Sequence, residues 1–211
     1  MTNSHSPYSA SFTGATMMYN EMNVIVRMLM EDDSPETVKK LRSDASYLQI
    51  NSTTGRERVT SELVKRYRSV PVSFWEHYVS LGEPQQKVAL LYVILKTYKI
   101  LFEFQVNFAI VKYNSIDRTI SRNDVLAAMS EVAARDEFVD SWTQKTRERA
   151  STHYVTMLRQ AGLIDEQTEE LRCPDLSDMD FVYYVQIGEL WFLQACFLPG
   201  YRIEQIKQLA V

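Results

Sequence analysis

Residues 85–113 constrain this chain more than any other stretch, because they are apolar on nearly every side of a helix drawn through them. A helix without a polar face has to be buried, in protein or in lipid. Crossing a bilayer takes about 20 consecutive, mostly apolar residues. Lys96, Lys99, Glu103 and Asn107 interrupt this run, and its longest charge-free pieces are Val88–Leu95 and Phe104–Val111. Three charges near a bilayer centre cost roughly 3 kcal/mol each even on a lenient insertion scale. The segment is therefore expected to be the centre of a helical body and not a membrane span. With 211 residues, six Gly and six Pro, the chain is long enough for such a body and poor in the turn residues of a sheet protein.

Ahead of this centre, residues 1–11 read as a flexible lead. Thr13 is placed to cap a helix running to about Met30, with Ala15, Met18, Met22, Ile25, Met28 and Leu29 as its buried stripe. Ser34-Pro35 supplies the cap and first-turn proline of a short second helix ending near Ser46. A third helix starts near Ser52. Val59, Leu63, Tyr67 and Val70 share one of its faces, and Thr54, Arg58, Ser61, Lys65 and Arg68 share the other. Phe74, Trp75 and Tyr78 fall on a short helix between Pro71 and Gly82.

Beyond the centre, residues 114–120 form a polar connection. They are a candidate boundary between an N-terminal helical domain, residues 1–120, and a C-terminal unit, residues 121–211. Ser121 with Asp124, and Ser141 with Gln144, have the spacing of capping boxes, with a short helical turn at Asp136–Asp140 between them. The helix after Ser141 is long and amphipathic, with Ala150, Tyr154, Met157, Leu158 and Ala161 on its apolar face. Leu163-Ile164 and Thr168–Arg172 are placed as two short strands, the wing of a winged helix. Phe181–Leu198 reads as one aromatic helix stopped by Pro199-Gly200, and Ile203–Leu209 as the last helix. The expected fold class is all-α: a multi-helix globular protein with helix-turn-helix or winged-helix-like units.

The formal net charge is −4, but its distribution is uneven. Between Asn51 and Val70 five Lys/Arg against two Glu leave +3, and between Thr143 and Ala161 four against one leave +3. Between Gly162 and Asp180 seven acids face one Arg, leaving −6. Each basic run lies on a helix that a short helix precedes, which is the order of a helix-turn-helix. A charge run is also what any solvated helix face looks like. Read as a binding surface, the candidates for contacting double-stranded DNA are Gln144, Lys145, Arg149, Thr152 and Arg159 on the later helix. Thr54, Arg58, Lys65 and Arg68 are the candidates on the earlier one. No bidentate base-reading pair is evident, so the contacts expected are to phosphates.

Catalytic patterns do not emerge. The sequence has no phosphate-binding glycine loop and no nucleophile elbow. His5, His77 and His153 show no ligand spacing, and Cys173 and Cys196 no metal spacing. The reading is of a non-enzyme with no cofactor, no metal and no small-molecule substrate. The absence of a secretory signal at the start of the chain and the two unspaced cysteines suggest a reduced, cytoplasmic setting.

Several segments carry a resemblance. Tyr8-Ser9-Ala10-Ser11-Phe12-Thr13-Gly14-Ala15, Asn20-Glu21, Tyr47-Leu48-Gln49-Ile50, Ser73-Phe74-Trp75 and the run Ala89 to Tyr98 are similar to the BrxA family, small accessory proteins of BREX (bacteriophage exclusion) systems. So are Arg135-Asp136, Ser141-Trp142 and Leu158 to Ile164. The resemblance implies an all-helical, non-enzymatic, cytoplasmic protein that binds double-stranded DNA beside other BREX components. It brings no catalytic residues. A different class of function, an assembly adaptor, would use Phe181–Leu198 and the acidic run Asp165–Asp180 to dock a partner protein, leaving the basic helices merely solvated. RNA binding is a third reading.

Overall fold

Side-chain caps start several of the helices. In the computed structural model, which describes residues 6–210, the helices in chain order are α1 (Tyr19–Glu31), α2 (Pro35–Ser43), α3 (Ala45–Leu48), α4 (Thr53–Tyr67), α5 (Val72–Val79), α6 (Glu83–Thr97), α7 (Lys99–Glu103), α8 (Ile110–Tyr113), α9 (Arg122–Ala133), α10 (Glu137–Asp140), α11 (Gln144–Gln160), α12 (Met179–Gln186), α13 (Leu190–Ala195) and α14 (Gly200–Leu209). A 3-10 turn, Ser11–Gly14, precedes α1, and a π-helical turn, Phe104–Ala109, joins α7 to α8. His5 lies outside the described residues. Ser34 accepts from the Thr37 amide with Pro35 in the first turn, Ser52 accepts from the Gly55 amide, and Ser121 and Asp124 form a reciprocal capping box. The second expected box does not form. The Ser141 hydroxyl donates back to the Phe138 carbonyl at 2.7 Å, and Thr143 caps α11 instead, accepting from the Thr146 amide at 3.2 Å.

The apolar centre is buried as expected: every residue from Val88 to Leu95 is inaccessible or nearly so. Among the described residues no helix is long and apolar enough to cross a membrane. The centre is not one helix, because Tyr98 is extended (φ −123°, ψ 102°) and separates α6 from α7. Further on, buried Gln105 in the π-helical turn donates to the Ala195 carbonyl at 2.5 Å and accepts from the Tyr154 hydroxyl at 2.6 Å. One amide thus ties α11 and the end of α13 to the centre. The buried apolar side chains form one continuous cluster from Phe12 to Ile206.

Three further expectations need correction. The helix expected from Thr13 to Met30 is broken: Ala15 is extended, Met18 is left-handed (φ 54°), and α1 starts only at Tyr19. The cause is Arg66, which is 1% exposed. Its guanidinium donates to the carbonyls of Ala15 (2.5 Å), Thr16 (2.6 Å) and Met17 (3.2 Å), and its Nε to the Tyr98 hydroxyl (3.1 Å). Carbonyls turned toward this cation are not aligned along a helix axis. The aromatic helix expected over Phe181–Leu198 is two helices, α12 and α13, parted at Gly188, whose φ of +77° only glycine adopts at little cost. The wing is reduced to isolated antiparallel bridges, Ile164 to Leu171 and Thr119 to Glu170, with no strand among the described residues. Glu169, at φ 59°, turns the chain between them.

The flexible lead expected over residues 1–11 lies partly outside the described residues; from Ser6 onward it is tied down. Ser6 donates to the Asp136 carboxylate at 3.0 Å and Tyr8 to Glu103 at 2.7 Å. Ser11 donates to Glu62 at 2.9 Å.

Removing the Arg66 side chain would leave three carbonyls and a hydroxyl without their donor in a dry interior. We expect Arg66→Ala to lower the unfolding free energy by about 3 kcal/mol, and Arg58→Ala on the exposed side of the same helix to change it by less than about 1 kcal/mol. Urea titration of the two variants checks the contrast, and equal losses would contradict it.

Candidate nucleic-acid interface

The two basic helices meet at the Ser11–Gly14 turn, which packs against both α4 and α11. Phe12 is fully buried, with its ring 5.4 Å from that of Tyr98. On the α4 side, Arg58 lies so close to Gly14 that a Cβ there would sit 3.0 Å from its side chain, so glycine makes room for the arginine stem. On the α11 side, half-buried His153 is next to the Phe12 carbonyl and feels the charges of both Arg149 and Arg66.

Helix periodicity explains which side chains remain outside. On α11, Ala150, Tyr154, Met157 and Leu158 are fully buried and Ala161 nearly so, while Gln144, Lys145, Arg149 and Thr152 are exposed and Arg159 is half-buried. On α4, Val59, Leu63 and Tyr67 are buried, and Thr54, Arg58 and Lys65 are exposed, as is Arg68 just past its end. Gln144 donates to Glu148 one turn on, at 3.0 Å. Lys65 sits 4.7 Å from the centroid of the Tyr98 ring.

The basic runs do not supply all their charge to the surface. Arg56 and Arg66 are buried. Arg56 donates to the carbonyls of Arg42 (2.8 Å), Ser43 (3.1 Å), Ile50 (2.6 Å) and Asn51 (3.3 Å), fastening α2 and the loop before α4. Arg147 binds the Asp140 carboxylate at 3.0 Å and the carbonyls of Asp140 and Trp142. Arg68 pairs with Asp33 at 2.5 Å, and Arg159 pairs with Glu169 at 2.5 Å. Arg58, Lys65, Lys145 and Arg149 are left without an ion pair among the described residues. Sequence reasoning missed the internal role of Arg56 and Arg66. The available signal was that each follows the buried stripe of α4 at helical spacing.

Among the described residues the rest of the surface offers no competing chemistry of comparable definition. A broad concavity of about 1040 Å³ lies between Glu83, Pro84 and Lys87 of α6 and the 159–176 region, but its cations already face acids, Lys87 with Glu83 and Arg172 with Asp165. Among the described residues no three His, Cys, Asp or Glu are gathered as metal ligands. Of the aromatic segment Phe181–Leu198, Phe181, Tyr184, Phe192 and Phe197 are core residues, and Ile187 and Leu190 are exposed, as is Met179 just before it.

The sequence profile of one family, BrxA, matches residues 6–179, most of the chain. The chain belongs to the BrxA family. As a BrxA-family protein it is associated with BREX systems, as an accessory phage-defence component. No curated protein matches it. The BrxA fold seen here is similar to the crystal structure of an uncharacterized protein from Magnetospirillum magneticum, with a TM-score of 0.76 over 90% of this chain and 98% of that one, at 18% identity. At that identity the likeness speaks for the fold alone.

Both histidines among the described residues resist protonation. His77, stacked on Tyr183 with 3.8 Å between ring centroids, has its pKa lowered by burial. His153 is lowered first by burial and then by Arg149 and Arg66, against the opposing pull of the Phe12 carbonyl. Each therefore binds its proton more readily when the chain is unfolded. Stability is fully present above the ordinary histidine pKa of 6.5 and is lost as pH falls below it. Denaturation at pH 7.5 and pH 5.5 should show the loss, and His77→Phe, which keeps an aromatic stack on Tyr183, should reduce it; an unchanged pH dependence in the variant would contradict this.

Proposed function

We propose that this protein grips double-stranded DNA through phosphate contacts from α4 and α11, acting without catalysis of its own, in the cytoplasm, beside other BREX components. The observation that carries the reading is the shared seam. One short turn packs against both helices, and among the described residues each keeps exposed cations without an acidic partner: Arg58 and Lys65 on one, Lys145 and Arg149 on the other. Thr54, Gln144 and Thr152 add hydroxyl and amide groups on the same faces, and Arg68 and Arg159 would exchange Asp33 and Glu169 for phosphate.

Both regions also share an order. A helix and a one-turn helix precede the long basic helix, as α2, α3 and α4 and again as α9, α10 and α11. This supports helix-turn-helix units in residues 1–120 and 121–211, the second flanked by the reduced wing at Ile164 and Leu171. Contacts of this kind read charge and duplex geometry more than sequence.

With about four phosphates neutralised, log K should fall against log salt with a slope of roughly −3 to −4. Lys145→Ala with Arg149→Ala should weaken binding to unrelated duplexes alike, by about tenfold or more, and flatten that slope by about 2. A salt-titrated mobility-shift assay on the full chain reads both effects. Binding and slope equal to the parent protein would reject the assignment, and preference for RNA in competition would redirect it.

The adaptor reading draws on exposed Met179, Ile187 and Leu190 near the acidic run. Partner co-elution that survives loss of all DNA binding would favour it.

A further inference from the structure

The two cysteines, 23 positions apart in sequence, are brought together at Phe197. Cys173 is half-buried on the segment after the reduced wing; its thiol donates to the Phe197 carbonyl at 2.8 Å. Phe197 directly follows Cys196, which is fully buried at the end of α13. Phe197 is itself in the left-handed region, φ +61°, a conformation that costs a bulky residue energy. Its ring stacks on Tyr113 at 4.7 Å, and the Tyr113 hydroxyl lies 3.7 Å from the Cys173 sulfur. Burial pushes the Cys196 thiol well above its ordinary pKa, and the charge of Cys173 pushes it further.

The segment carrying Cys173 is held in place. Leu171 donates to the Arg118 carbonyl at 2.9 Å and Arg172 to the Leu163 carbonyl at 3.0 Å. On the other side, Leu198 closes on Leu193 at 3.2 Å. The accessible thiol is thus presented, with little freedom to move away, to the residue that neighbours the buried one. Neither the DNA-binding reading nor family membership calls for this arrangement.

We propose that Cys173 and Cys196 are a peroxide-responsive dithiol that closes into an intramolecular disulfide. Cys173, the more accessible sulfur, attacks one peroxide oxygen; the O–O bond breaks, one oxygen stays as the sulfenic acid, and the other leaves as hydroxide and takes up the thiol proton as water. The Cys196 sulfur then attacks the Cys173 sulfur; the S–O bond breaks and hydroxide leaves with the Cys196 proton as a second water. The pair gives up two electrons, and the peroxide is reduced to two waters. The product would staple the segment after Leu171 to the end of α13, replacing the Cys173–Phe197 hydrogen bond.

The test is to expose the full-length, reductant-free protein to an equivalent of hydrogen peroxide and to follow intact mass, alkylatable thiols and non-reducing peptide maps. Expected are a loss of two hydrogens per chain, disappearance of both thiols, a cross-linked peptide containing Cys173 and Cys196, monomeric migration, and full reversal by dithiothreitol. In Cys196→Ala the cross-link should vanish and dimedone should capture a sulfenic acid on Cys173. The proposal is overturned if the parent chain only gains oxygen at Cys173, forms disulfide-linked dimers, or keeps both thiols. The parent's peptide map decides by itself should the variant not fold.

Discussion

The buried guanidinium of Arg66 is the interaction on which the rest of the arrangement depends. It satisfies the carbonyls of Ala15, Thr16 and Met17, which the break before α1 leaves without helical partners, and it reaches Tyr98 where α6 gives way to α7. Tyr98 donates to Glu62, and Glu62 also accepts from Ser11. One charged side chain of α4 thus fixes the Ser11–Gly14 turn, the start of α1 and the bend in the apolar centre. A cation removed from water this completely is tolerated only when its donors are used, and here each of its three nitrogens donates.

Arginine serves two opposed purposes on the same helix. Arg56 and Arg66 point inward and close carbonyl groups of loops; Arg58 points outward and carries its charge to the surface. The fold needs the first kind to fasten the loops on either side of α4, including residues 15–17 just after the turn that packs on both α4 and α11. The proposed grip on phosphate needs the second kind. A net charge summed over the segment counts both alike and so overstates the field the helix presents.

Much of the helical framework was legible in the residues. Ser34, Ser52 and Ser121 start helices because each hydroxyl meets an amide that the helix geometry leaves unpaired. The apolar and polar faces of α4 and α11 follow from the 3.6-residue period. The exposed positions of Arg58, Lys65, Lys145 and Arg149 follow with them. The breaks were harder to read. Gly188 carried a signal, a glycine within an otherwise helical run, but Met18 and Tyr98 carried none; the break before Met18 lies where Arg66, from elsewhere in the chain, takes the carbonyls of Ala15, Thr16 and Met17. The pairing of Arg68 with Asp33 and of Arg159 with Glu169, and the choice of Thr143 over Ser141 as a cap, likewise depend on contacts between elements.

The sequence by itself determined that the chain is helical, which faces of its helices meet water, and that the stretch around Val88–Leu95 lies inside, because periodicity, capping and hydrophobicity act over a few neighbouring residues; the end of the apolar run, where Val111 is exposed, does not follow. Its membership of the BrxA family is likewise carried by residues spread along 6–179. Only the tertiary structure decided that the two basic helices share a seam at Ser11–Gly14, which of their cations are consumed by carbonyls and acids, and that Cys173 comes to rest against the residue after Cys196. Those outcomes depend on which distant groups a buried donor finds. A local pattern does not encode the partner, since the requirement to satisfy a buried polar group is met by whatever the packing brings within reach.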